Sequence, residues 1–339
     1  MCRYILLILL ALGFNLEVLA ASYGPIHVQQ IRRNIFSGGT DGQCYHTVDV
    51  TAYCHDLLCI FWEKSGSNST LDSTKALKAL NILQRYIDFG TAIMNYKPLP
   101  LAGHEFTGTD GKKRSWTIDM ANYLCDGYGG ASYNGKAWNG LTKPQFMGLY
   151  NSVNNSKPTV DQVFFYEMGR SMYDLKLDEI LDWQMEDASK WGYWTLGFNG
   201  AMTVLAPEAL NLEMNYFGTN TAKFRADRLK DINTYINNTR YNFDNAWSVW
   251  LLPWAQNQSI NDMMSGLLIL MSDKFGGRAY LSELFKQLKL QPTTPLKTDR
   301  KLRAKNLYNA AKLAARRTGR SQKEIEDFFK KTLRWTFLS

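Results

Sequence analysis

Histidine is scarce in this 339-residue chain: there are four, and none follows His104. The Ser…acid…His order of α/β-hydrolases therefore has no histidine on which to end for any serine beyond that point. Gly130-Ala-Ser132-Tyr-Asn134 approaches the nucleophile elbow G-x-S-x-G but lacks its last glycine. There is no CxxC pair, no phosphate-cradling loop and no dinucleotide fingerprint, which excludes zinc ribbons and the common nucleotide-binding classes. Long hydrophobic runs are also missing. The longest, Tyr4–Phe14, has eleven residues, short of the ~20 that span a bilayer. Later stretches are broken, Met263–Met271 by Ser265 and Gly266, and Ala246–Ala255 by Ser248 and Pro253. No transmembrane anchor is expected. No repeat or low-complexity linker divides the chain.

What is present suits a well-packed core. Hydrophobic residues make up 45% and charged residues 21%, with ten Trp, eighteen Tyr and seventeen Phe, a composition outside the disordered range. Residues 1–20 read as a secretory signal: Arg3, the apolar run, then Val18-Leu19-Ala20 at a cleavage site. Cys2 leaves with that signal. Cys44, Cys54, Cys59 and Cys125 remain, an even count that in an oxidising compartment forms two disulfides in one of three connectivities. His46 and His55 lie close to two of these cysteines, yet secretion favours oxidised sulfur over a zinc cluster. Sequons at Asn68, Asn154, Asn237 and Asn257 fit a secreted, extracellular glycoprotein.

Strands are expected over His27–Phe36, Cys44–Val50 and Leu57–Trp62, with Gly38-Gly39 and Asp41-Gly42 as turns. A helix follows, capped by Asp72 or Ser73, lined by Leu77, Leu80, Leu83 and Ile87, and stopped by Gly90. Residues 91–113 read as a loop, Ser115–Met120 as a buried strand, and residues 126–135 as a glycine-rich stretch. Beyond Pro158 the pattern turns helical, with Thr159 as a cap, then helices near Asp178–Lys190, Gly200–Glu213, Asn261–Lys274 and Leu281–Leu290. The fold class is α+β, strands first and helices after. Its parts are the signal (1–20), an N-terminal β segment (21–66), a main unit (67–295) and a C-terminal segment (296–339). That last segment is basic: from Lys297 on there are thirteen Lys and Arg against four acids, a surplus larger than the whole chain's +8. Gly319 ends one helix there, Ser321-Gln-Lys-Glu324 opens another as a capping box, and Phe328, Phe329, Leu333, Trp335 and Phe337 anchor it. Arg316, Arg317, Arg320, Lys330 and Lys331 are its candidates for binding a polyanion such as an anionic glycan; nucleic acid is not expected.

The helix after Pro158 carries Tyr166-Glu167-Met168-Gly169-Arg170. This frame resembles the H-E-x-x-H helix of zincin-type, gluzincin-like metallopeptidases, and the order of long helix, strand, glycine-rich loop and motif helix matches that fold. Thr195-Leu-Gly197-Phe198-Asn199 resembles the next helix of the subgroup whose third ligand is a glutamate, which includes plant basic secretory proteins. The resemblance implies two metal-binding histidines at positions 166 and 170, an acid at 199, and a general base at 167. Here Tyr166, Arg170 and Asn199 stand in the ligand positions, and only Glu167 survives. A guanidinium stays protonated and has no lone pair to give a metal, while Arg170 can pair with Glu167 on one helix face. A zincin-like fold with a degenerate metal site, no cofactor and no catalytic residue is the expectation.

Three functional classes follow. The first is a non-catalytic metallopeptidase-like protein that binds an extracellular protein or anionic partner. A second is an active hydrolase using Glu167 or other carboxylates, and a third a structural extracellular or venom-type component. His104-Glu105 begins like the zinc motif without a second histidine and is read as a decoy. The acids Asp178, Glu179, Asp182, Glu186 and Asp187 read as a solvated helix face that could meet the basic C-terminal segment. Trp183, Trp191, Trp194, Trp247, Trp250 and Trp254 read as core.

Overall fold

Strand β1 (His27–Phe36) alternates exposed and half-buried side chains until Ile35 and Phe36, which are buried, the pattern of a sheet edge with one wet face. The computed structural model describes residues 24–38, 43–64, 70–125, 129–182, 193–293 and 299–338; residues 1–20, Asn68, Trp183, Glu186, Asp187 and Trp191 lie outside the described residues. β1 pairs antiparallel with β2 (Tyr45–His55), which turns back into β3 (Leu58–Glu63). Cys54 and Cys59 face each other across that hairpin and are bridged; Cys44 is bridged to Cys125. Of the three connectivities left open by the sequence, this is the one formed, and both bridges staple the N-terminal region. β3 runs parallel to β4 (Trp116–Ala121), and β5 (Ala131–Ser132) forms the far edge, antiparallel to β6 (Trp138–Thr142), in the order β1-β2-β3-β4-β6-β5.

β3 and β4 are buried almost throughout, as strands covered on both faces must be. Leu58, Ile60, Trp62, Ile118 and Met120 join the large core under the helices. Cys59, Phe61 and Trp138 join a smaller core with Ile35, Phe36 and Phe106 on the opposite face. The parallel β3–β4 pair needs a crossover, supplied by helix α1 (Ser73–Met94). Asp72 caps it by accepting from Lys75 N at 2.9 Å. Gly90 does not stop this helix. The helix continues to Met94 and ends on Asn95 in the left-handed region at φ 49°. A Cβ on Gly90 would fall 2.2 Å from Met172 Sδ, so this glycine makes room for a neighbouring helix.

After β6, Thr142 and Gln145 form a capping box for α2 (Lys143–Ser152). Thr159 is not a helix cap. Residues Thr159–Asp161 pair in parallel with Glu213–Asn215, and α3 (Gln162–Met172) starts one residue later with Asp161 accepting from Val163 N. The next long helix, α4 (Tyr193–Leu210), begins before Gly197 rather than at Gly200. α5 (Thr221–Asn237), which the sequence reading did not register, precedes α6 (Ile260–Phe275) and α7 (Gly277–Leu288). The chain closes with α8 (Arg300–Arg317) and α9 (Gln322–Asp327). Helix occupies about 51% and strand 21% of the described residues, a mixed α/β architecture.

The C-terminal segment is docked. Phe329, Leu333 and Trp335 are fully buried in the large core. Gly319 follows α8 at φ +70°, and Ser321 accepts from Glu324 N to start α9. Two of the segment's cations act as caps. Arg334 donates to the carbonyls of Tyr235, Ile236, Asn238 and Tyr241, closing the end of α5. Arg303, 2% exposed, donates to the carbonyls of Asp178 and Asp182. The acidic stretch meets the basic segment at these two carbonyls, and Asp182 is buried rather than solvated.

Candidate functional site

Helix α3 is cast by its apolar face: Phe164, Met168 and Met172 are fully buried. Helical spacing then sets Tyr166 and Arg170, four apart and half-buried, on the neighbouring face, with Glu167 beside them. Edge strand β5 lies across this face. Ser132 Oγ donates to Glu167 Oε2 at 2.5 Å, and Arg170 Nη1 stands 3.5 Å from the same oxygen. Arg170 Nε donates to Asn134 Oδ1 at 3.3 Å. Gly130 is what allows the strand to come so near, because a Cβ there would lie 2.7 Å from both Glu167 Cγ and Val163 Cγ1.

Asn199 arrives on α4. Close helix approach again depends on a missing side chain, since a Cβ on Gly169 would meet Asn199 Oδ1 at 3.3 Å. Asn199 is 0% exposed, and neither amide atom makes a hydrogen bond of normal geometry among the described residues. Its amide faces the Tyr166 phenol. Burial raises the pKa of that phenol and the Glu167 carboxylate adds to the rise, while Arg170, Arg228 and Asn199 oppose it. The phenol is therefore held protonated, a donor. Burial likewise raises Glu167, against the hydrogen bond from Ser132 and the charge of Arg170.

Arg228, from α5, is the member that sequence reasoning missed. It pairs with Asp262 of α6 and lies over the Phe224 ring at 5.0 Å. Its Nε comes within 3.6 Å of where a Gly200 Cβ would stand, and its charge reaches Tyr166. No local pattern announces it, because α5 is rich in Lys, Arg and Asp and has only a narrow apolar face.

The four positions singled out by the motif are thus brought together: Tyr166, Glu167 and Arg170 by one helix, Asn199 by the next. They do not fit a zinc ion. Zinc takes about four neutral nitrogen, thiolate or carboxylate donors, whereas these four positions offer a protonated phenol, a guanidinium, a carboxamide and a single carboxylate, Glu167, already engaged by Ser132 and Arg170. Among the described residues, no group of three His, Cys, Asp or Glu is placed to hold a metal.

The remaining candidates lie elsewhere. Ser132 serves Glu167; among the described residues His104 stands against Trp138 and Tyr45 and 3.9 Å from Asp119, while His27 pairs with Asp110. Trp194 and Trp247 are core, and Trp250 and Trp254 pack against it. Asn154, Asn237 and Asn257 are exposed. Arg316, Arg317, Arg320 and Lys331 are exposed and Lys330 is half-buried, with Lys331 paired to Asp327 at 2.9 Å. No protein-family model matches the chain, and no curated protein matches it.

Proposed function

We propose that this chain is a secreted, glycosylated, non-catalytic relative of the zincin-type metallopeptidases, and that its former metal site now binds the acidic group of an extracellular partner. One observation carries this reading: a guanidinium, Arg170, engages the surviving carboxylate from the helix position where the motif would place a metal-binding histidine. Glu167, held by Ser132 and Arg170, has its charge already matched and is not free to activate water. The groups left to meet a visitor, the Arg170 guanidinium and the Tyr166 phenol, are donors, which selects for a carboxylate or sulfate. The two disulfides agree with an oxidising compartment.

The test uses purified mature protein. It is expected to hold no stoichiometric zinc by elemental analysis and to cleave neither peptide nor glycan panels. One equivalent of zinc, or turnover abolished by Glu167→Gln, would overturn the reading. A second reading places polyanion binding on the C-terminal segment, favoured by Arg316, Arg317 and Arg320 standing exposed around one helix end. Heparin retention that drops on mutating all three to Ala, with an unchanged melting curve, would support it. Deleting residues 297–339 would not serve, because it removes core side chains.

A further inference from the structure

β1 forms one edge of the six-stranded sheet and is ten residues long, with an unbroken register on β2 and no proline. The other edge is short: β5 has two residues and lies across α3. A long open edge is a template for a further strand unless something blocks it. In an antiparallel pair, residues alternately turn both backbone groups toward the partner strand and away from it. Ser37 N donates to Cys44 O. By that alternation His27, Gln29, Ile31, Arg33 and Ile35 bond to β2, and Val28, Gln30, Arg32, Asn34 and Phe36 turn their backbone groups outward. Two outward N–H groups at this end are taken: Phe36 N donates to Asp119 Oδ2 at 3.0 Å, and Gly38 N to Tyr123 O at 2.8 Å. Those of Val28, Gln30, Arg32 and Asn34, all exposed residues, make no hydrogen bond among the described residues.

These four positions complement themselves. When two copies pair antiparallel about a two-fold axis at Ile31, Val28 faces Asn34 of the second copy and Gln30 faces its Arg32, so every outward N–H and C=O finds a partner. An axis at Gln30 sets Asn34 opposite Ile26, beyond the strand. An axis at Arg32 sets two guanidinium groups against each other and calls on Phe36 N, which Asp119 already holds. An axis between residues sets outward groups against inward ones. With Ile31 on the axis, each Arg32 keeps Asp49 beside it on β2, and Arg33 is turned inward to donate to His104 O at 2.7 Å. We propose that β1 is a dimerisation strand: two copies of this chain join edge to edge with Ile31 on the axis, forming one continuous sheet. This surface is separate from Glu167 and does not depend on the metallopeptidase resemblance.

The test is sedimentation equilibrium on the full mature chain, which is expected to dimerise in the micromolar range. Gln30→Pro removes an outward donor and leaves the β1–β2 ladder alone. It should weaken the dimer at least tenfold with an unchanged circular dichroism spectrum. Gln30→Glu, which faces Arg32 twice by symmetry, should tighten the dimer about two- to tenfold, and Gln30→Arg should weaken it by as much. Ile31→Cys should form a disulfide-linked dimer on oxidation, because Cα atoms of a non-hydrogen-bonded pair lie about 4.5 Å apart. Val28→Cys, at an exposed position far from its own symmetry mate, should not. A chain that stays monomeric, whether the edge is left to another protein's strand or covered by residues ahead of Gly24, overturns the proposal. So does a dimer indifferent to all three Gln30 variants, or one cross-linked through position 28 and not through position 31.

Discussion

Asp119 shows how one buried charge shapes stability. It is fully buried in β4, and its Oδ2 accepts from Phe36 N and Trp138 Nε1, both at 3.0 Å, while Oδ1 has no hydrogen-bond partner among the described residues. Burial pushes its pKa up to about 6, against the two hydrogen bonds and the nearby Arg33 charge. A carboxyl whose folded pKa lies above its unfolded value near 3.8 favours the fold while protonated. Its contribution is full below pH 4 and is lost as pH rises through 6, about 3 kcal/mol in all. Asp119→Asn keeps an acceptor for both donors and carries no charge. It is expected to stabilise the protein at pH 7.5 and not at pH 4, read as urea unfolding midpoints at the two values. An equal effect at both would show that the charge is not the cause. His104, 3.9 Å away, is itself lowered to about 4 by burial and the Arg33 charge, so it stays neutral over most of this window.

At the scale of elements, the site depends on how closely β5 can lie on α3, and the glycines there set the distance. Gly129→Ala is expected to be silent, since nothing lies within 4 Å of its added Cβ. Gly130→Ala drives a methyl against Glu167 and Val163 and should cost about 1–3 kcal/mol, as overpacking does; thermal melts of the pair separate the two cases. Local sequence made some elements legible and hid others for physical reasons. The three N-terminal strands, the Asp72 cap and the Gly319–Ser321 junction are written in residue type and spacing. Gly90 reads as a stop because glycine commonly ends helices, yet its partner Met172 is 82 residues away. Thr159 looks like a cap because Glu213–Asn215, which pairs with it as strand, lies over fifty residues downstream. The convergence of Tyr166, Glu167 and Arg170 was legible from helical spacing and that of Asn199 from the resemblance, whereas Ser132, Asn134 and Arg228 arrive by tertiary packing alone.

For the molecule as a whole, the basic tail and the stapled β segment are not appendages. β3 pairs with β4 inside one sheet, and Trp335 packs on Trp247 and Phe243 within the large core, so both ends of the described chain are held by the same interior. The two disulfides then differ in what they constrain. Cys54–Cys59 closes five residues across a hairpin that the sheet already defines, while Cys44–Cys125 closes eighty-one and encloses α1 with three strands of the sheet. A cross-link restricts the unfolded chain more as its loop lengthens, and on that basis the two are worth about 2 and about 4.5 kcal/mol. Cys44→Ala/Cys125→Ala is therefore expected to lower the guanidinium midpoint about twice as far as Cys54→Ala/Cys59→Ala. The reverse order would mean that the hairpin bridge holds β2 and β3 together in the native state, and that the register of the sheet relies on it rather than on its buried side chains.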